Sequence, residues 1–493
     1  MRNLAPERAG LSAEAPAVGG PTPPGERSES CPREWQVAEG PSLPATATLT
    51  VARQRLFLAL VAVLPLHTFY LSAWISWKPY LVLLAAVVVL DLVAGWRARE
   101  WPWDRAASLA LAGLVGAVLL GWPAPEVVGR YLRLVLAVIA GGCLLLVTER
   151  GLRVGGQAER VIRLVPRVGA AMAATAVVFA LVALGTFGEG ALTWINDLPG
   201  VHQVAKPVYL VHGFIALTNW HHEAGYGASW MTLWAVLTLV ASFSGAGWRI
   251  RWMDAAVIGG LGFGVFMSFS RTAWAAFPIA LLVTVLLLTR AKIAKVGALA
   301  GRLGAAALIA ILLAGLAWLA DRPGVGGDLS LQLGFRMSQT SDLASDTAEW
   351  LSTDLIAPEA FGPSELRALM WHKYLRAVPR HPWTGCGLGV MWERAQAEPH
   401  NLLVELLTEA GILGLLSLVV VLGVVVARGS GVVGWAALIT AFLPMMTLTV
   451  FFEATWWFAA GLLLGGGSRR QHRAAGAIEG RGPARTSLRE DEG

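Results

Sequence analysis

The chain has 493 residues, 55% of them hydrophobic and only 15% charged, with a mean hydropathy of +0.58. A soluble domain carries about 25% charged residues, so one water-soluble globule is excluded. The net charge of +6 is no nucleic-acid footprint, because the basic residues sit in short connections between apolar runs.

Residues 1–52 are rich in Pro, Gly, Ala and Glu. They lack the basic start and apolar core of a signal peptide, and the composition predicts a disordered cytoplasmic tail. From there, apolar runs recur that are long enough to cross about 30 Å of hydrocarbon. Hydropathy predicts about twelve crossings, near 55–74, 79–96, 105–123, 131–148, 169–187, 226–244, 253–269, 272–289, 303–320, 402–426, 432–451 and 454–467. Spans one to nine fill 53–320 and spans ten to twelve fill 402–467. Residues 468–493, with Arg469, Arg470, Arg473, Arg481, Arg485 and Arg489, read as a second disordered, basic cytoplasmic tail. The stretch 188–225 is mixed, and could dip into the bilayer or lie on its surface.

Basic residues set the orientation. Arg97 and Arg99, the group Arg150 to Arg167, Arg249 and Arg251, the group Arg290 to Arg302, and Arg428 all fall on one side in an alternating count, with both tails. The positive-inside rule makes that side cytoplasmic. The same count exports a large loop, 321–401, holding ten acidic residues and seven Lys/Arg; loops of this length are usually functional. Within it SELRALMWHKYLRAVPRHP predicts an amphipathic helix, with Leu366, Met370, Tyr374 and Val378 at helical spacing and Pro379 and Pro382 stopping it. Gly385, Gly387 and Gly389 predict an irregular turn after it.

Three places carry ionisable groups where a span meets the outer face. Arg271, in FMSFSRTAWAAF, is flanked by Ser268, Ser270 and Thr272. It either snorkels to headgroups or forms an anion clamp, since a guanidinium beside hydroxyls at a helix start offers forked donors to phosphate oxygens. Arg367 opens the loop helix four residues before Trp371, as a solvated arginine or a second anion ligand; Arg336 and Arg376 are weaker candidates for that role. His400 and Asn401 open span ten. The histidine is either a polar cap or a base, because an imidazole of pKa about 6.5 accepts a proton from a hydroxyl at neutral pH. A base beside anion-stabilising arginines suits transfer of a group away from a phosphate leaving group.

Other polar groups carry less. His221 and His222 are adjacent and point about 100° apart on a helix, which disfavours joint chelation with Glu223. No metal or cofactor is expected, and no dinucleotide fingerprint or phosphate-cradling loop is present. The three cysteines, Cys31, Cys143 and Cys386, have no disulfide or metal spacing. Glu409 reads as a helix-packing carboxylate or a partner to the site. Asp91, Asp254 and Glu453 lie near span ends and read as solvated. The tryptophans predict interfacial belts, with Trp220, Trp371, Trp383 and Trp392 also able to stack on sugar rings.

His400-Asn401, nine residues, Gly411, two residues and Gly414 resemble the H[NSQ]-x9-G-x-x-G signature of bacterial O-antigen ligases, within a superfamily that includes O-antigen polymerases and some O-linked oligosaccharyltransferases. SFSRTAW at 268–274, the stretch from Arg367 to Gly389, and GFIALTNWHHEAGY at 213–226 resemble further family segments, in order. One departure is Leu210, where many relatives place an arginine three residues before the upstream glycine; here His212 stands beside Gly213.

The resemblance implies an all-α, GT-C-like polytopic bundle with one large periplasmic loop, in the bacterial inner membrane, and a metal-independent inverting glycosyl transfer. The implied donor is a glycan on undecaprenyl diphosphate and the acceptor a glycan or lipid A-core hydroxyl. His400 would be the base or the residue that orients the acceptor, Arg271 and Arg367 would hold the diphosphate, and Asn401, Ser270, Thr272, Trp371 and Arg336 would contact substrate. A polymerase or a protein O-glycosyltransferase would use the same chemistry. A transporter or flippase of lipid-linked sugars is the rival of another class, although no paired halves are visible.

Overall fold

A computed structural model describes residues 45–66, 79–121, 127–153, 157–181, 205–208, 214–217, 224–243, 251–268, 270–320, 370–391, 401–445 and 453–479. Residues 1–44 lie outside these, as do 480–493, most of the 321–401 stretch and the His221–Glu223 triplet. The helices are α1 Ala45–Val63, α2 Pro79–Ala98, α3 Arg105–Leu120, α4 Val128–Arg153 and α5 Gln157–Leu181. Then follow α6 Ala224–Phe243, α7 Arg251–Met267, α8 Arg271–Arg290 and α9 Val296–Ala320. After the large loop come α10 Leu402–Glu409, α11 Gly411–Arg428, α12 Val432–Met445 and α13 Ala454–Glu479.

Among the described residues, seven helices are long and apolar enough to cross a membrane: α2, α4, α5, α6, α8, α9 and α11. Four shorter apolar helices, α3, α7, α12 and α13 up to Gly466, accompany them. Helices stand where hydropathy predicts spans, with several differences. α1 begins at Ala45, inside the stretch expected to be a disordered tail, and α13 runs on to Glu479, through the first part of the other expected tail. The tenth span is broken: α10 ends at Glu409 and α11 starts at Gly411. α5 begins at Gln157, three turns ahead of the predicted start, and so carries Arg160, Arg163 and Arg167 on its own surface. The mixed stretch contains a two-stranded antiparallel hairpin, β1 Ala205–Val208 with β2 Phe214–Leu217, pairing Val208 with Phe214. It is the one pair of strands among the described residues, in a segment whose branched and aromatic residues favour strands.

α6 is buried all round from Tyr226 to Ala241, the pattern of a helix at a bundle's centre. α4 and α13 approach closely through small residues, as membrane helices do: a Cβ on Gly461 would lie 2.7 Å from the Leu145 carbonyl oxygen. Trp230, Trp234, Trp456 and Trp457 are fully enclosed here and so do not belong to interfacial belts. By contrast Leu308, Ile311, Leu312 and Leu316 of α9 stand exposed, as a lipid-facing surface requires.

One end of the bundle is tied by ion pairs. Asp91, fully buried, receives Arg53 Nε at 2.8 Å and Nη2 at 3.2 Å, Arg150 Nε at 2.9 Å and Trp103 Nε1 at 3.3 Å. Asp104 caps α3 by accepting from the Ala107 amide at 2.9 Å, and its other oxygen accepts from Arg153 Nη2 at 3.3 Å and from Arg428 Nη1. Asp254 and Glu453 are buried as well. The expectation of solvated carboxylates at 91, 254 and 453 is therefore corrected: a helix end in a packed bundle is not at water. This is the end to which the charge pattern assigns Arg150, Arg153 and Arg428.

Burial alone would raise the Asp104 carboxyl, but the Ala107 amide and the Arg428 and Arg153 guanidiniums outweigh it and hold it below its usual 3.8. With the folded value depressed, its stabilisation is complete above pH 3.8 and is lost as pH falls through the lower folded value. Thermal midpoints in detergent should therefore drop on going below that pH, and Asp104→Asn should remove part of the drop. An identical pH dependence in Asp104→Asn contradicts the assignment.

Candidate functional site

The opposite end holds the sequence-predicted groups that the structure describes. α7 turns into α8 across a tight corner. The Ser268 hydroxyl accepts from the Ser270 amide at 3.2 Å, and Ser270 caps α8, accepting from the Ala273 amide at 3.4 Å. The Trp274 indole donates to the Phe266 carbonyl at 3.0 Å and stacks on the Phe266 ring. Arg271 is thereby the first residue of α8, half-buried beside Thr272. A cation there opposes the helix dipole, whose positive end favours anions.

Asn401 is nearly buried and caps α10, its side-chain oxygen accepting from the Leu403 and Val404 amides at 3.0 and 3.1 Å. The second member of the His-Asn pair therefore has a defined job: it starts the helix that follows. His400, Arg367 and Arg336 lie outside the described residues. Trp371 is partly exposed on the helical residues 370–375, whose Met370 and Tyr374 are buried one turn apart, matching the predicted amphipathic face.

The glycine turn and the break between α10 and α11 form one interlocked unit. The Cys386 amide donates to the Thr408 carbonyl at 3.0 Å and the Gly387 amide to the Glu409 carbonyl at 2.9 Å. In return the Ile412 and Leu413 amides donate to the Pro382 and Trp383 carbonyls at 2.9 and 3.1 Å. The buried Glu409 carboxylate accepts from the Gly389 amide at 2.7 Å and the Met391 amide at 3.2 Å. Gly385 and Gly411, at φ +69° and +68°, face each other so closely that a Cβ on either would overlap the backbone of the other strand of this contact. The end of α3 joins them: a Cβ on Gly121 would sit 2.7 Å from the Thr384 carbonyl oxygen and 3.3 Å from Gly387 Cα.

Two further residues at this end escaped the sequence reading. Arg130, in the first turn of α4, lays its side chain over Gly389, where a Cβ would come 2.9 Å from its Cδ and 3.1 Å from its Nε. The usable signal was an arginine on the side otherwise poor in basic residues. Glu405 is buried on α10, one turn beyond Asn401 and one before Glu409, so three polar groups share one helix face. Among the described residues no group of three or more His, Cys, Asp or Glu is placed to hold a metal ion.

Residues 255–419, from α7 into α11, match the model of the O-antigen ligase family. The match covers about a third of the chain. All the sequence-predicted site residues, from Ser270 to Asn401, fall inside that match, and so does the interlocked glycine unit. Arg130 and Gly121 lie outside it and reach the matched segment from α4 and the end of α3. With its apolar helices the chain is a multi-pass membrane protein, and its 255–419 segment is similar to the O-antigen ligase family. No curated protein matches the chain.

Proposed function

We propose that this protein transfers a glycan from an undecaprenyl-diphosphate-linked donor to an acceptor hydroxyl on the periplasmic face of the bacterial inner membrane. The observation that carries the reading is that Arg271, Arg367, His400 and Asn401 all lie within the segment matching the O-antigen ligase family. The capped starts of α8 and α10, which hold Arg271 and Asn401, add support.

In the proposed step the acceptor oxygen attacks the anomeric carbon of the donor sugar from the face opposite the phosphate. The C–O bond to the diphosphate breaks and its electron pair leaves with the diphosphate. His400 takes the acceptor proton, and Arg271 and Arg367 stabilise the charge that grows on the departing oxygens. Attack from the opposite face inverts the anomeric centre. Asn401, Ser270, Thr272, Trp371 and Arg336 are placed around the substrates in this reading, with lipid A-core or another glycan as acceptor. The large loop 321–401 supplies Arg336, Arg367 and Trp371 from the outer side.

His400→Ala should abolish transfer, by about 100-fold or more, while the variant stays in the membrane at normal level. The measurement is transfer in detergent from a synthetic undecaprenyl-diphosphate oligosaccharide to lipid A-core, followed by gel analysis. Transfer at the unaltered rate by a well-expressed variant ends the proposal. The same assay separates an enzyme from a lipid-linked sugar transporter, which makes no product. In cells, deletion that removes all long-chain lipopolysaccharide identifies a ligase, and a single-repeat band identifies a polymerase. Unglycosylated protein with normal lipopolysaccharide identifies a protein glycosyltransferase.

A further inference from the structure

Between α4, α5, α6, α12 and α13, at the end tied by the ion pairs, the packing leaves a cavity of about 180 Å³. Val165 of α5, Leu237 and Ala241 of α6 and Phe458 of α13 form its buried walls. Ile162, Ser430 and Val433 are partly exposed and stand at its mouth. Ser430 carries the one polar side chain among the lining residues. An apolar space of this size stays free of water. The mouth is fixed in place: the Ser430 amide donates to the Leu463 carbonyl at 3.2 Å, and its hydroxyl to the Gly466 carbonyl at 3.2 Å. The cavity is thus preformed, as ligand pockets usually are. None of its lining residues takes part in the proposed reaction.

The charge around the mouth is basic. Arg153 follows the lining residue Leu152, Arg160 and Arg163 flank Val161 and Ile162 on α5, and Arg428 precedes Ser430 by two residues; all four are exposed. Among the described residues of these stretches Glu159 is the one exposed carboxylate, and Arg163 pairs with it. Asp104 and Glu149, held by Arg153 and Arg428, are buried. The start of α12 adds the positive end of its dipole, since Val433 and Gly434 of its first turn line the cavity. We propose that this cavity binds an acyl chain of an anionic phospholipid, whose phosphate rests at the basic mouth. The chain passes Ile162 and Val433 and reaches Leu237 and Ala241. Apolar walls under a positive rim match that molecule in both of its parts. A zwitterionic lipid offers the chain, but its ammonium group opposes the rim.

The enclosure of α6 gives the test a clean readout, because lipid outside the bundle does not reach Leu237 or Ala241. The full-length protein in detergent is illuminated with a phosphatidylglycerol carrying a diazirine midway along one acyl chain, and labelled residues are mapped by mass spectrometry. Label should appear on residues 237–241. Unlabelled phosphatidylglycerol should compete for it about fivefold better than phosphatidylcholine with the same chains, the gain from one basic residue near an anionic surface. Label on residues 308–316 of lipid-facing α9 should be competed equally by both lipids. Val433→Trp and Ile162→Trp, which plug the mouth, should each abolish labelling of 237–241 and leave α9 labelled as before. No label on 237–241, equal competition there by the two lipids, or full labelling of 237–241 in either tryptophan variant overturns the proposal. If neither variant folds, the competition in the unaltered protein decides.

Discussion

Gly411→Ala should leave little folded protein, whereas Gly423→Ala, three turns further along the same helix, should be near neutral. The contrast follows from two independent costs at position 411. Its φ of +68° lies in the left-handed region, which costs an L-residue about 1–2 kcal/mol. Its Cβ would also overlap the Trp383 carbonyl and the Gly385 amide nitrogen. Backbone atoms held by the bonds from Ile412 and Leu413 cannot step aside without releasing those bonds. Together these place the substitution among the severe cases, about 4 kcal/mol or more. A Cβ at Gly423 meets nothing within 4 Å, and alanine gains helix propensity there. Thermal unfolding of the two variants in one detergent measures the difference. Equal midpoints would mean that the turn at 382–385 does not dock on α11 as described.

The glycine at 411 also shows where sequence reading stops. The run from Leu402 to Val426 is apolar apart from Glu405, Thr408, Glu409 and Ser417, so hydropathy reads a single span. Nothing local in it announces a break. The break comes from a partner in the distant glycine turn, whose backbone must approach closely enough to exchange four hydrogen bonds with residues 408–413. Long single helices such as α2, α8 and α9 were legible because their burial pattern is set by composition alone. Asp91 was not, because the choice between a solvated and a buried carboxylate is made by Arg53 and Arg150, which distant helices bring to it. Arg130 needed the fold as well: only the stacking of α4 against the glycine turn places it at Gly389.

The spacing of the His-Asn-x9-Gly-x-x-Gly pattern acquires a physical meaning from this geometry. Asn401 caps a helix of eight residues, which at 1.5 Å per residue spans about 12 Å. Ala410 then closes the helix and Gly411 takes the left-handed conformation that lets the turn dock. Gly414 packs directly on the Ala410 methyl one turn later, where a larger residue would separate α11 from α10. Nine residues between the asparagine and the first glycine are thus the length of α10 plus its closing residue. The glycines hold the fold of this end, and the asparagine sets where the histidine's segment meets a rigid helix. In this reading the motif is mainly a scaffold, with His400 as the one reactive group it carries.

Asp91→Ala should cost about 3–5 kcal/mol, the range for removing one partner of a buried ion pair. The carboxylate is inaccessible and holds Arg53 in a two-pronged contact, with Arg150 and the Trp103 indole on the same oxygens. Arg53 is itself buried on α1, so its charge loses its counterion without gaining water. Arg150 is partly exposed and also donates to the Pro102 carbonyl, so it can retreat to solvent at smaller cost. The loss should therefore come chiefly from Arg53, and Arg53→Met should recover much of the stability when added to Asp91→Leu, because it removes the stranded charge and fills the space. Unfolding of the single and double variants in mixed micelles measures both effects. A single Asp91→Ala variant within about 0.5 kcal/mol of the parent would place Asp91 in the class of surface ion pairs. α1, α2 and α4 would then be held at this end by apolar packing alone.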